Sequence, residues 1–76
     1  MKELRAYLKK LSAPDREGFA ARCGTSLGFI RKSIYQGKLL NAKVCVAVEQ
    51  ESSGQVTRKM LREDWIEIWP ELATPT

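Results

Sequence analysis

The chain has 76 residues, of which 43% are hydrophobic, and a net charge of +4. That length suits a single domain with a thin core, only a few kcal/mol stable by itself, and leaves no room for a second. Met1 to Leu11 mixes Lys2, Glu3, Arg5, Lys9 and Lys10 with its apolar positions, so no secretory signal is expected, and no apolar run approaches the roughly 18 residues of a membrane span.

Leu4, Tyr7, Leu8 and Leu11 recur at three- and four-residue steps, the spacing of one helix face, while Lys2, Arg5, Lys9 and Lys10 occupy the others. A first helix is predicted from about Lys2 to Leu11. Ser12 can cap a second helix, Pro14 suits a first turn that needs no donor, and Asp15 completes a Ser-x-x-Asp box. The inward face of that helix is Phe19, Ala20 and Cys23, and Gly24 supplies the left-handed backbone that stops it. Thr25 and Ser26 follow, either able to cap a third helix, so the connection is only about three residues long. The third helix runs through Leu27, Ile30 and Ile34 on one face and ends near Gly37.

Asn41 caps a fourth helix. Its Val44 to Val48 run is rich in β-branched residues and could form a strand, but the cap, the continuation to Gln50 and the stop at Ser52-Ser53-Gly54 favour a helix. Thr57 opens a last short turn through Met60 and Leu61, with Val56 placed to pack on Leu61. Trp65, Ile66, Ile68 and Trp69 follow before Pro70. Cys23 and Cys45 stand at helix-facing apolar positions and read as small core residues; a metal needs more ligands, and there is no histidine.

Charge divides unevenly along the chain. Residues 1–46 carry ten Lys or Arg against three acids, a balance of +7, whereas residues 47–76 carry three against six, a balance of −3. The first part would approach a polyanion and the second would avoid one. Catalysis is not expected, because the chain holds no histidine, no phosphate-cradling glycine loop, no metal-ligand cluster and no paired carboxylates in a plausible cleft; no cofactor is expected either.

A helix, a tight glycine-containing corner and a second amphipathic helix form the arrangement that lays one helix in a DNA major groove while the other braces the backbone. Ala20, four residues before Gly24, must be small where such helices cross, and Ile30 and Ile34 can anchor the second helix from beneath. Its outward positions are then Ser26, Leu27, Gly28, Arg31, Lys32 and Tyr35, although Leu27 could also seat in the core. Arg31 can give two hydrogen bonds to a guanine edge, Lys32 can reach guanine or phosphate, and Gly28 lets backbone approach the bases. Thr25, Ser26, Tyr35 and Gln36 can bond phosphates, and Lys38 and Lys43 add charge beyond the helix.

The run from Phe19 to Arg31 contains the string Cys23-Gly24-Thr25-Ser26-x-Gly28, followed by Tyr35 and Gly37, and later by Val56-Thr57-Arg58-x-x-Leu61-Arg62. Over about residues 12–70 this resembles the YdaS-like family of phage and prophage Cro-type regulators. The resemblance implies an all-α, compact, four- to five-helix domain of lambda-repressor-like helix-turn-helix type; the residue pattern places this single domain over 1–70, with Pro70 closing it and 71–76 as a flexible tail. It also implies a cytoplasmic, nucleoid-associated bacterial transcriptional regulator, and for some members an antitoxin. The family's recognition helix corresponds to Ser26 through Gln36. Two positions depart from the pattern: Ser33 stands where an aliphatic residue is usual, which leaves the roll of the third helix open between Lys32 and Ser33, and Glu63 stands where proline is common, which lets the last helix run on through Asp64 towards Trp69.

The expected partner is double-stranded DNA. Trp65, Ile66, Ile68 and Trp69 either close the bottom of the core or form a homodimer surface, since aromatic anchors dominate interfaces. A two-fold dimer would set two recognition helices about one DNA turn apart on a palindromic site. An alternative role is an antitoxin-type interaction module that masks a partner toxin through the fourth helix and the Trp65 to Trp69 segment.

Overall fold

The computed structural model describes residues 2–73, and among them the backbone is helical throughout its regular parts, with no strand. Four helices of eight to ten residues come first: α1 (Lys2–Lys9), α2 (Ala13–Arg22), α3 (Leu27–Gln36) and α4 (Ala42–Glu51). Two four-residue helices, α5 (Arg58–Leu61) and α6 (Trp65–Ile68), lead into a 3-10 turn at Pro70–Ala73. No helix of the described residues is long and apolar enough to cross a membrane.

Helices α2 to α5 each start where a side-chain oxygen meets an otherwise unpaired N–H group. Ser12 accepts from Asp15 N–H at 3.3 Å, Ser26 from Phe29 N–H at 3.1 Å, Asn41 from Val44 N–H at 2.9 Å and Thr57 from Met60 N–H at 3.4 Å. The valine-rich segment is helical, since its Asn41 cap and the burial of Val44, Cys45 and Val48 along one face satisfy it without a sheet partner.

One apolar cluster joins all the helices up to α5. Leu4 and Leu8 of α1, Phe19 and Ala20 of α2, Ile30 of α3, Leu40 of the following loop, Val48 of α4 and Val56 and Leu61 around α5 are all buried. Tyr7 tilts against Phe19 with ring centroids 5.2 Å apart. Val56 precedes the Thr57 cap and Leu61 follows it, so the two clamp the entry to α5 as a hydrophobic staple. Cys23 and Cys45 are buried free thiols, and desolvation raises the pKa of each to about 11.

The last helix does not run on past Leu61. Arg62 turns extended, at φ −138° and ψ 128°, and α6 starts afresh after Asp64. The reason is the Arg62 guanidinium: it donates at 2.8 Å to each carboxylate oxygen of Asp64 and at 2.7 Å to the Leu40 carbonyl, a geometry a continuous helix would not allow. That contact holds the Asp64 carboxyl below its ordinary pKa range. Trp69 is 8% exposed and belongs to the core. Of the proposed dimer segment, Ile66 is exposed, Ile68 and Trp65 are half-buried, and Lys59 lies over the Trp65 ring at 4.6 Å. Of the expected tail, Pro70–Ala73 forms a turn whose Leu72 packs on the core, and residues 74–76 lie outside the described residues.

The loop between α4 and α5 is organised by one buried hydroxyl. Ser52 Oγ accepts from Val56 N–H at 3.0 Å and lies 3.3 and 3.4 Å from the Glu49 and Val56 carbonyls, to one of which it donates. Replacing Ser52 by Ala strands the Val56 amide in the interior and is expected to cost about 1–3 kcal/mol in urea denaturation. A loss indistinguishable from zero would mean that the loop is held by packing alone. Both thiols are expected to resist a thiol-modifying reagent at pH 8 until the chain is unfolded, since burial keeps them protonated as well as covered. Rapid labelling of the native protein would contradict this.

Candidate functional site

The corner between α2 and α3 sets the site. Gly24 adopts φ +78°, its N–H bonds the Ala21 carbonyl at 3.0 Å, and Thr25 N–H bonds the Ala20 carbonyl at 3.1 Å. These two bonds close α2 with a paired Schellman cap, which turns the chain sharply enough for α3 to begin at Leu27. A Cβ on Gly24 would meet nothing within 4 Å, so the left-handed backbone, not space, is what calls for glycine. Ala20 is fully buried, and α2 packs against α3. A second cap of the same kind ends α3, with Gly37 at φ +66° and Lys38 N–H on the Ser33 carbonyl at 3.0 Å.

The buried residues of α3 are Leu27, Ile30 and Ser33, and Ile34 is half-buried. This settles how the helix is rolled. Ser33, 4% exposed, faces inward and Lys32 faces water. Leu27 is corrected as a contact residue: it sits in the core beside Ile30 and is closed to anything outside. At 100° per residue the exposed arc then runs from Arg31 at one edge, through Tyr35, Gly28, Lys32 and Gln36, to Phe29 at the other. Tyr35 is 92% exposed and touches almost nothing of its own domain.

The remaining expected residues surround that arc. Thr25 is half-buried in the corner, while Lys38 is exposed just past the end of α3. Ser26 is exposed, and its oxygen caps the helix by accepting from Phe29 N–H, leaving its hydroxyl proton available. Gly28 is exposed, and an added Cβ there would find open space, so nothing in the fold requires glycine at this position.

Two features go beyond the residues singled out from spacing. Phe29 is 48% exposed at the far edge of the arc, an apolar surface the helical pattern disguises by its neighbour Ile30. On the opposite edge a groove of about 610 Å³ opens between α1 and α3. Leu8 and Ile34 line it, Tyr35 borders it, and Arg5, Lys9, Arg16 and Arg31 place four cationic side chains around it. The basic face of α1 was the signal; what spacing could not supply is that this face lies beside α3.

The electrostatics of the two sides differ. Among the described residues the ion pairs are Arg22 with Glu51, Arg58 with Glu49 and Arg62 with Asp64, so they join the acidic C-terminal part to arginines away from the groove. None involves Arg5, Lys9, Arg16, Arg31, Lys32 or Lys38. The outer side of α3 and the groove beside it therefore carry positive charge that no carboxylate of the described residues neutralises in a salt bridge. Such a surface suits an extended anionic partner. Among the described residues no group of three or more His, Cys, Asp and Glu side chains could hold a metal ion.

Comparison with protein families, curated proteins and solved structures yielded no match. The chemistry of this surface is therefore read from its own residues.

Replacing Gly24 by Ala is expected to destabilise the fold by about 1–2 kcal/mol, the ordinary cost of a left-handed residue with a Cβ, and replacing it by Asn by less. Thermal or urea melts of the two variants check this. Equal stability of Ala and wild type would show that the corner relaxes out of the left-handed region.

Proposed function

We propose that this protein is a sequence-specific DNA-binding regulator of transcription, built as a lambda-repressor-like helix-turn-helix domain in which α3 enters the major groove and α2 braces the backbone. The observation that supports this reading most directly is the roll of α3. Its sealed side is Leu27, Ile30 and Ser33, and its open side presents Lys32, Tyr35 and Gln36 with Arg31 at the edge and no carboxylate anywhere on the helix. A helix about 10–12 Å across fits a major groove about 12 Å wide. The resemblance to YdaS-like phage and prophage regulators points the same way.

In this reading Lys32 and Arg31 carry the base contacts, because both can reach the acceptor edge of guanine and Arg31 can do so with two hydrogen bonds. Gly28 allows close approach of backbone at the centre of the arc. Thr25, Ser26, Tyr35 and Gln36 hold the strand register through phosphate oxygens, and Lys38 adds charge at the end of the helix.

The test is binding to a site selected from a random duplex pool, followed by fluorescence anisotropy at several salt concentrations. Arg31→Ala is expected to cost about 1–3 kcal/mol and to relax the preference at one base pair; Lys38→Ala is expected to weaken all duplexes alike and to lower the salt slope by about 1. Backbone amide signals of residues 26–36 should shift on titration with the selected site. If those signals stay in place and both variants bind like wild type, α3 is not the reading helix.

A further inference from the structure

We infer that the groove between α1 and α3 seats a backbone phosphate of the DNA strand bordering the major groove, so that Arg5, Lys9 and Arg16 form a second contact site outside the helix-turn-helix unit; this rests on the α3 reading above. Arg31 and Tyr35 belong both to the exposed arc of α3 and to the groove, so the two surfaces are continuous. The major groove is flanked by phosphates on both strands, and a helix lying in it has one of those strands along each side. On the Arg31 side, the strand would run past α1.

The groove is prepared for a phosphate in three ways. Its four cationic side chains come from α1, α2 and α3, with no carboxylate lining it. Arg16 is already held in place, because its Nε donates at 2.7 Å to the Leu8 carbonyl, which leaves the terminal guanidinium nitrogens for another acceptor. The lining between them includes the apolar side chains of Leu8 and Ile34, which offer the cations no competing acceptor. A guanidinium offers paired donors matched to phosphate oxygens, and Lys9 adds a point charge.

The experiment uses Arg5→Ala/Lys9→Ala, two exposed positions, with Arg5→Lys/Lys9→Arg as the charge-retaining control. On the selected duplex, the alanine double variant is expected to lower the salt slope by up to about 1, the value for one phosphate, and leave the preferred sequence unchanged, while the control keeps the wild-type slope. Methylphosphonate substitution at single DNA phosphates reads the same contact from the other side and leaves the wild-type protein intact. Neutralising the phosphate over the groove should weaken wild type more than the alanine variant, which keeps only Arg16 and Arg31 beside it. An unchanged slope together with no phosphate whose neutralisation separates the two proteins overturns the groove contact, while the amide shifts in residues 26–36 still support α3. Failure of wild type to bind any duplex removes both. Inorganic phosphate serves as the competing source: signals of residues 5–9 that saturate with micromolar phosphate but ignore duplex would assign the groove to a free anion and overturn the inference.

Discussion

Burial of Ile30, with Leu27 one turn before it and Ser33 one turn after, fixes the rotation of α3 about its own axis, and every outward position follows from that rotation. A shift of one residue would turn the helix by 100° and put Arg31 in the place of the fully buried Ile30, a charge inside the core. The cost of such a burial, several kcal/mol for an unpaired ion, matches the whole few kcal/mol that a domain of this size has in reserve. Lys32 thus faces outward because of what lies behind the helix.

The same economy governs charge. Glu49, Glu51 and Asp64 each meet an arginine, and two of those arginines, Arg58 and Arg62, are mostly covered. Arg58 also stacks on Trp69 at 5.2 Å, and its backbone N–H bonds Glu49 at 3.0 Å, so the contact fixes α5 against the end of α4. Surface pairs of the Arg22–Glu51 kind add little stability. Their effect on the field is larger: three of the six acids after Val46 are drawn into contacts with Arg22, Arg58 and Arg62, and α1 and α3 keep a positive side free of ion pairs among the described residues.

Much of this was legible in the residues themselves. Ser12, Ser26, Asn41 and Thr57 mark the helix starts because a cap is a local chemical event, settled within three residues. Gly24 and Gly37 mark the ends of α2 and α3 for the same reason. The groove between α1 and α3 was not legible, since Arg5 and Arg31 are far apart along the chain and only packing of the helices brings them together. Leu27 was read both ways because, in a three-residue step pattern, a first-turn leucine lies on the border of the buried arc. The break at Arg62 was missed for a related reason: Arg62-Glu63-Asp64 is compatible with a helix, and the carbonyl that draws the arginine away belongs to Leu40, 22 residues earlier.

Gly28 carries a consequence of its own. Glycine is less favourable than alanine by about 1 kcal/mol in a helix interior and by less in the first turn, where Gly28 stands. A methyl group there would touch no other part of the molecule. Its absence leaves α3 with a notch one side chain deep, and on the following turn Arg31 and Lys32 rise as its two posts, so the thinnest point of the helix is also where its longest cationic arms begin.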